Sequence, residues 1–166
     1  MAKAKRYIPE GLQSVTASLV VDGAAKAIDW YKKVFGASER GKRHLGPDGK
    51  VMHSELQIGS SVLFLNDLIG GAPPVVQDGR RLGGSPVGLT VYLEDSDAAF
   101  KRATENGAKV TMPIGDQFWG DRWGSFTDPF GQNWSVATHR EDLTTEEMEN
   151  RAQAFFKQLM GAHQRK

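Results

Sequence analysis

The punctuation of this chain repeats. Asp22 recurs as Asp95, the pair Gly36-Ala37 as Gly107-Ala108, and Gly59 as Gly131, at separations of 73, 71 and 72 residues. Three marks of different kinds agreeing on one period point to a supersecondary unit present twice, too small to bury its apolar face alone. A length of 166 residues suits such a pair sharing one core.

Each unit reads as βαβββ. Leu12–Val21 is rich in Val, Leu and Thr and reads as a strand. Asp22 is placed to cap a helix over Ala24–Phe35, where Ile28, Tyr31 and Phe35 share one face and Gly36 supplies the left-handed stop. Strands follow at Glu39–Leu45, Val51–Ile58 and Ser61–Asn66, divided by Gly46-Pro47-Asp48-Gly49 and Gly59-Ser60. After a Gly- and Pro-rich connection at 67–84 the order returns. Pro86–Leu93 is a strand, Asp95 or Ser96 caps a helix to about Asn106, and Ala108–Met112, Arg122–Thr127 and Asn133–Thr138 complete the set. The division is a first module at 12–66, a connection at 67–84, a second module at 85–139 and a tail at 140–166. In the tail, Thr144-Thr145-Glu146-Glu147 is a capping box, and Met148, Ala152, Phe155, Phe156 and Leu159 form an apolar stripe. The expected class is α+β: two modules in a curved mixed sheet around a cleft, plus an amphipathic C-terminal helix.

Composition removes several functions. A formal net charge of +1, with both signs mixed, leaves no basic stripe for nucleic acid. The chain has no cysteine, which rules out thiol catalysis, disulfides and cysteine-bound zinc, and fits a reducing cytoplasm. Met1–Pro9 lacks the apolar core of a signal peptide, and stretches such as Ser61–Leu65 are too short to cross a bilayer.

The segment VVDGAAKAIDWYKKVFGA resembles the first strand and helix of the vicinal-oxygen-chelate group, the glyoxalase/bleomycin-resistance/dioxygenase superfamily. PDGKVMHSEL, DQFWGDRWGSFTDPFGQNWSVATH and EDLTTEEM resemble its PhnB-like branch more narrowly. The resemblance spans Leu12 to Met148 and implies paired βαβββ modules and a small-molecule cleft, usually in a homodimer. It implies no single reaction, since the fold hosts isomerases, lyases, dioxygenases and antibiotic-binding proteins. It also implies metal ligands on the first and last strands of each module, and alignment carries those places to Val15, Leu63, Gly88 and Ser135. Only the weak hydroxyl of Ser135 is a donor, so no standard metal site, and no other cofactor, is expected.

Other donors stand elsewhere. His53 and Glu55 lie two apart on one strand and share a face. They read in three ways: Glu55 orients His53 in a half-buried structural contact; His53 is a general base, its ordinary pKa being near neutrality; or both join His44 or His139 in a non-standard divalent-metal site. Asp116–Trp123 is the most unusual stretch. Phe118, Trp119 and Trp123 interleave there with Asp121 and Arg122, a mixture found in ligand pockets. Trp123, Ser125 and Thr127 would share one strand face, and Trp134 and Val136 another. The plain structural reading has Trp119 plugging the core and Asp121 bonded to Arg122 or to backbone amides. The sequence therefore favours a small-molecule-binding protein without the standard metal, with Phe118, Trp119, Asp121, Arg122, Trp123 and Trp134 at the ligand. The alternative is a lyase or isomerase using His53 and Glu55.

Overall fold

In each half of the chain the first and last strands run parallel, side by side, and the strands between them return antiparallel. The computed structural model describes residues 6–68 and 78–163, side chains 159 and 161–163 excepted. The first module holds β1 (Ala17–Val21), α1 (Ala24–Phe35), β2 (Ser38–Glu39), β3 (His44–Leu45), β4 (Val51–Ile58) and β5 (Ser61–Asp67). Its sheet order is β1-β5-β4-β2, with β3 also on β4. The second module holds β6 (Gly88–Tyr92), α2 (Ser96–Glu105), β7 (Lys109–Asp116), β8 (Asp121–Thr127) and β9 (Asn133–His139), in the order β6-β9-β8-β7. Helix α3 (Thr145–His163) follows. The two sheets repeat one topology, as the period in the sequence predicts.

Several boundaries differ from expectation for local reasons. Strand β1 begins at Ala17 rather than Leu12, because Ala17 pairs with Leu63 and its partner β5 starts only at Ser61, after the Gly59-Ser60 turn. The expected strand Glu39–Leu45 is two short pieces, interrupted by Gly41 at φ 73°. Strand β7 runs on through Pro113; it is an edge strand with register shifts on either side, where a missing N–H is tolerated.

Asp22 does not cap α1. The N-cap is Gly23, without a side-chain bond, and the carboxylate that closes the first turn is Asp67 at the far end of β5. Its Oδ1 accepts from Gly23 N at 2.9 Å and Ala24 N at 2.8 Å, and its Oδ2 from Val51 N at 2.8 Å. Asp67 thus joins three elements, whereas Asp22 is exposed. In α2 the cap is local, as expected: Asp95 accepts from Ala98 N at 2.8 Å. The capping box of α3 also forms, with Thr144 N donating to Glu147 Oε2 at 2.8 Å and Glu147 N to Thr144 Oγ1 at 3.2 Å.

The core sits where α1 meets the second module. Ala24, Ala27, Ile28, Tyr31 and Val34 have no exposed surface. Burial on that scale stabilises by roughly 1.5–3 kcal/mol for each large apolar side chain. Phe35 lies 4.7 Å from Trp134 between ring centroids, Tyr31 5.3 Å from Trp134, and Trp30 6.3 Å from Phe126. The indole N–H of Trp30 donates to Asn106 O at 2.9 Å, tying α1 to the end of α2. Both modules therefore bury their helix faces in one shared aromatic layer.

Candidate functional site

A cavity of about 450 Å³ opens at the seam between the modules. Gln13, Val15, Ala17, Ile58, Leu63, Leu89, Val91, Tyr92 and Trp134 are among its walls, which draw on β1, β5, β6 and β9. The surface is chiefly hydrocarbon, edged by the hydroxyls of Ser60, Ser61 and Thr90. Trp134 contributes only ring surface, since its N–H is held by Asp128 at 2.9 Å. The alternation of β9 explains this: Trp134 and Val136 do share a face, and it is the core face.

A buried carboxylate lies behind one wall. Asp121 is 4% exposed and opens β8. Its Oδ2 accepts from Tyr92 Oη at 2.8 Å and Trp119 Nε1 at 3.1 Å, and its Oδ1 meets His139 Nδ1 at 2.7 Å. The other imidazole nitrogen faces Asp142 Oδ1 at 3.0 Å. Burial works against the Asp121 charge, but the bonds from His139, Tyr92 and Trp119 outweigh it and hold the carboxyl below its ordinary range. Asp121 above all, then Asp142, raises the His139 pKa. Asp121 does not pair with Arg122. That guanidinium forks onto Asp97, with Nε at 2.9 Å and Nη2 at 2.7 Å, and reaches Asp116 at 3.3 Å. The pairing alternates because neighbours on β8 point to opposite faces of the sheet.

This network carries a pH signature. Raised in the fold, His139 contributes stability that is fully present below its unfolded value, about pH 6.5, and is lost as pH rises through its folded value. Asp121, lowered in the fold, contributes above its unfolded value of about 3.9, and that share is lost as pH falls through its folded value. Urea unfolding across pH should show wild type weakening from about pH 6.5 upward, and His139→Gln with a visibly flatter alkaline limb. Identical limbs would refute the assignment.

The aromatic loop packs on α3 instead: of the residues expected at the ligand, Trp134 lines the cavity, and Phe118, Trp119, Asp121, Arg122 and Trp123 are not among its walls. Phe118 lies 5.1 Å from Phe155 and 6.1 Å from Phe156, so the stripe of α3 packs on the loop. Trp119 lies 6.0 Å from Trp123. Gly120, at φ 93°, lets the chain leaving β9 approach: a Cβ there would stand 2.5 Å from Glu141 O. Its carbonyl accepts from Arg140 N at 3.0 Å and Glu141 N at 3.1 Å.

His53 and Glu55 sit apart from the seam, on the half-buried face of β4. His53 Nε2 is 3.7 Å from Glu55 Oε1, too far for the expected orienting hydrogen bond, and Glu55 Oε2 faces Arg40 at 3.4 Å. His53 stacks edge-on against Phe64 at 5.0 Å and lies opposite His44 across the sheet, ring centroids 6.2 Å apart. His139 is engaged by Asp121 and Asp142 and does not join them. At the places implied for a divalent metal, Leu63 is packed in apolar surroundings, Val15 is an exposed aliphatic at the cavity rim, Gly88 has no side chain and Ser135 offers a lone hydroxyl. These residues do not fit such an ion. Among the described residues no three His, Asp or Glu side chains gather around a point that could hold one.

Sequence reasoning passed over Tyr92 and Asp128. Tyr92 had a signal: in Gly88-Leu89-Thr90-Val91-Tyr92 the alternation sets Thr90 and Tyr92 on the face opposite Leu89 and Val91. Asp128 had none beyond its turn, since its partners Tyr31 and Trp134 come from different modules.

Among the described residues no helix is long and apolar enough to cross a membrane. A family model for the Glyoxalase/Bleomycin resistance protein/Dioxygenase superfamily matches residues 12–136. An uncharacterized protein of Mycobacterium tuberculosis is 41% identical over 141 residues, covering 82% of this chain and 80% of that protein. Among solved structures, TioX from Micromonospora sp. ML1 has a TM-score of 0.58 at 25% identity, over 80% of this chain and all of TioX. The PhnB protein from Bacillus cereus has a TM-score of 0.53 at 19% identity, over 76% of this chain and 99% of that one, a likeness of fold. With its duplicated βαβββ sheets, this chain belongs to the glyoxalase/bleomycin-resistance/dioxygenase superfamily.

Proposed function

We propose that this protein binds a small molecule in the seam cavity without a divalent metal. The observation that carries this reading is the cavity itself: about 450 Å³ of mostly hydrocarbon wall, in a superfamily whose usual metal positions here hold Val15, Leu63, Gly88 and Ser135. A volume of that order suits a compact organic ligand. Among the described residues the cavity wall carries no paired acid and base, which favours sequestration over turnover. The lyase or isomerase alternative needs Glu55 to orient His53, and their 3.7 Å separation and the competing Arg40 weaken it. We further propose a homodimer in a reducing cytoplasm. Val110 and Met112, each 49% exposed on the outer strand β7, offer an apolar edge for a second copy, and a cysteine-free chain suits that compartment.

Thermal unfolding against a panel of uncharged aromatic and aliphatic compounds tests the reading. A ligand at about 100 times its Kd should add about 2.7 kcal/mol of stability, and a chelator should leave that gain unchanged. Stoichiometric zinc, nickel or manganese in protein purified without chelator, or a gain abolished by chelator, would overturn it. So would a panel with no ligand among it. Sedimentation of the same samples reports the dimer.

A further inference from the structure

The walls of the seam cavity include one ionisable side chain among the described residues, Tyr92, and its proton is already committed. The phenol donates to Asp121 Oδ2 at 2.8 Å. Asp121 is 4% exposed and is held in place by Trp119 and His139 as well, so the acceptor cannot swing away. A hydroxyl that donates to a fixed carboxylate keeps its lone pairs free and becomes a stronger acceptor through them, because hydrogen bonds in series polarise one another. Tyr92 as a whole is 62% exposed and lines the cavity, so the side chain is not sealed in the core.

We propose that Tyr92 is the polar anchor of the cavity, and that the ligand is an uncharged, largely apolar molecule whose O–H or N–H donates to the Tyr92 oxygen. This rests on the binding reading above and adds the ligand class. Among the described residues an anion finds no cation on the cavity wall, and it meets the Asp121 carboxylate behind Tyr92. A cation gains little, because His139 already faces that carboxylate. A pure hydrocarbon gains the apolar wall and leaves the Tyr92 oxygen desolvated and unpaired, which costs affinity. Tyr92 is thus a specificity residue, with Asp121 a positioning residue that acts through it.

Equilibrium dialysis of the full chain at neutral pH with 2-naphthol, naphthalene and 2-naphthoate tests this. Naphthol should bind about tenfold more tightly than either of the others, the size of one net hydrogen bond. Tyr92→Phe should abolish the preference, weakening naphthol and tightening naphthalene because no oxygen is left to desolvate, and Asp121→Asn should reduce the naphthol preference with Tyr92 still present. Equal binding of naphthol and naphthalene to wild type would overturn the anchor and leave the cavity reading standing. So would a Tyr92→Phe variant that keeps the preference, or that weakens both ligands alike. Tighter binding of naphthoate would overturn the uncharged class. No binding of any of the three would remove the cavity as a site, and the anchor with it.

Discussion

Asp128→Ala is expected to lower the stability of the fold by about 3–5 kcal/mol, the upper range for a single substitution. The carboxylate serves donors from both modules. Its Oδ2 accepts from Tyr31 Oη at 2.7 Å and Trp134 Nε1 at 2.9 Å, and its Oδ1 from Phe130 N at 2.8 Å and Gln132 N at 2.9 Å. Tyr31 has no exposed surface and Trp134 is 2% exposed, so water does not replace the lost acceptor. The cost is therefore that of stranded donors rather than of one exchanged bond. Burial, opposed by these same bonds, raises the Asp128 pKa. The sign follows: its ionisation erodes stability as pH climbs from the unfolded carboxylate value toward the folded one. Asp128→Asn, which keeps an acceptor and sheds the charge, should lose less than the Ala variant. Denaturant titration reads both, and a loss under about 1 kcal/mol for Ala would show that the node is dispensable.

The second large effect is at the start of α1. Asp67→Ala should cost about 2–4 kcal/mol, since it strips the cap from α1 and the partner from Val51 in one step. Asp22→Ala, at the place where sequence alone would put the cap, should change stability by less than about 0.5 kcal/mol. The pair of variants separates the two candidates cleanly. Equal losses would mean that the first turn of α1 is held by something other than Asp67.

That contrast also marks the limit of what the sequence could say. Helix α1 is readable to the residue, because its apolar face, its Gly36 stop at φ 68° and its length are local properties. The box at Thr144 and Glu147 is readable for the same reason. The cap from Asp67 is not, because it arrives from a strand 43 residues away. Trp134 shows the subtler case. Period-two alternation correctly joins it to Val136, but which of the two faces turns to the core depends on how the sheet lies over α1, and no pattern within β9 records that. The aromatic loop was conspicuous in composition, but its division of labour was not. Phe118 went to α3, Asp121 to Tyr92 and His139, and Arg122 to Asp97 through contacts between segments.

The remote cap has a consequence for how the protein is made. A chain emerging from the ribosome presents α1 early, with its first turn open, and the carboxylate that closes that turn is still 43 residues from being joined to it. The hydroxyl of Tyr31 waits longer, for an Asp128 that lies 97 residues on. Through that interval the side chains of Ile28, Tyr31 and Phe35, destined for the shared aromatic layer, have no second module to cover them. Helix α2, with Asp95 three residues ahead of the N–H it binds, makes no such demand. Any factor that shields apolar stretches during translation would meet its main task in this chain at α1, and would meet it early.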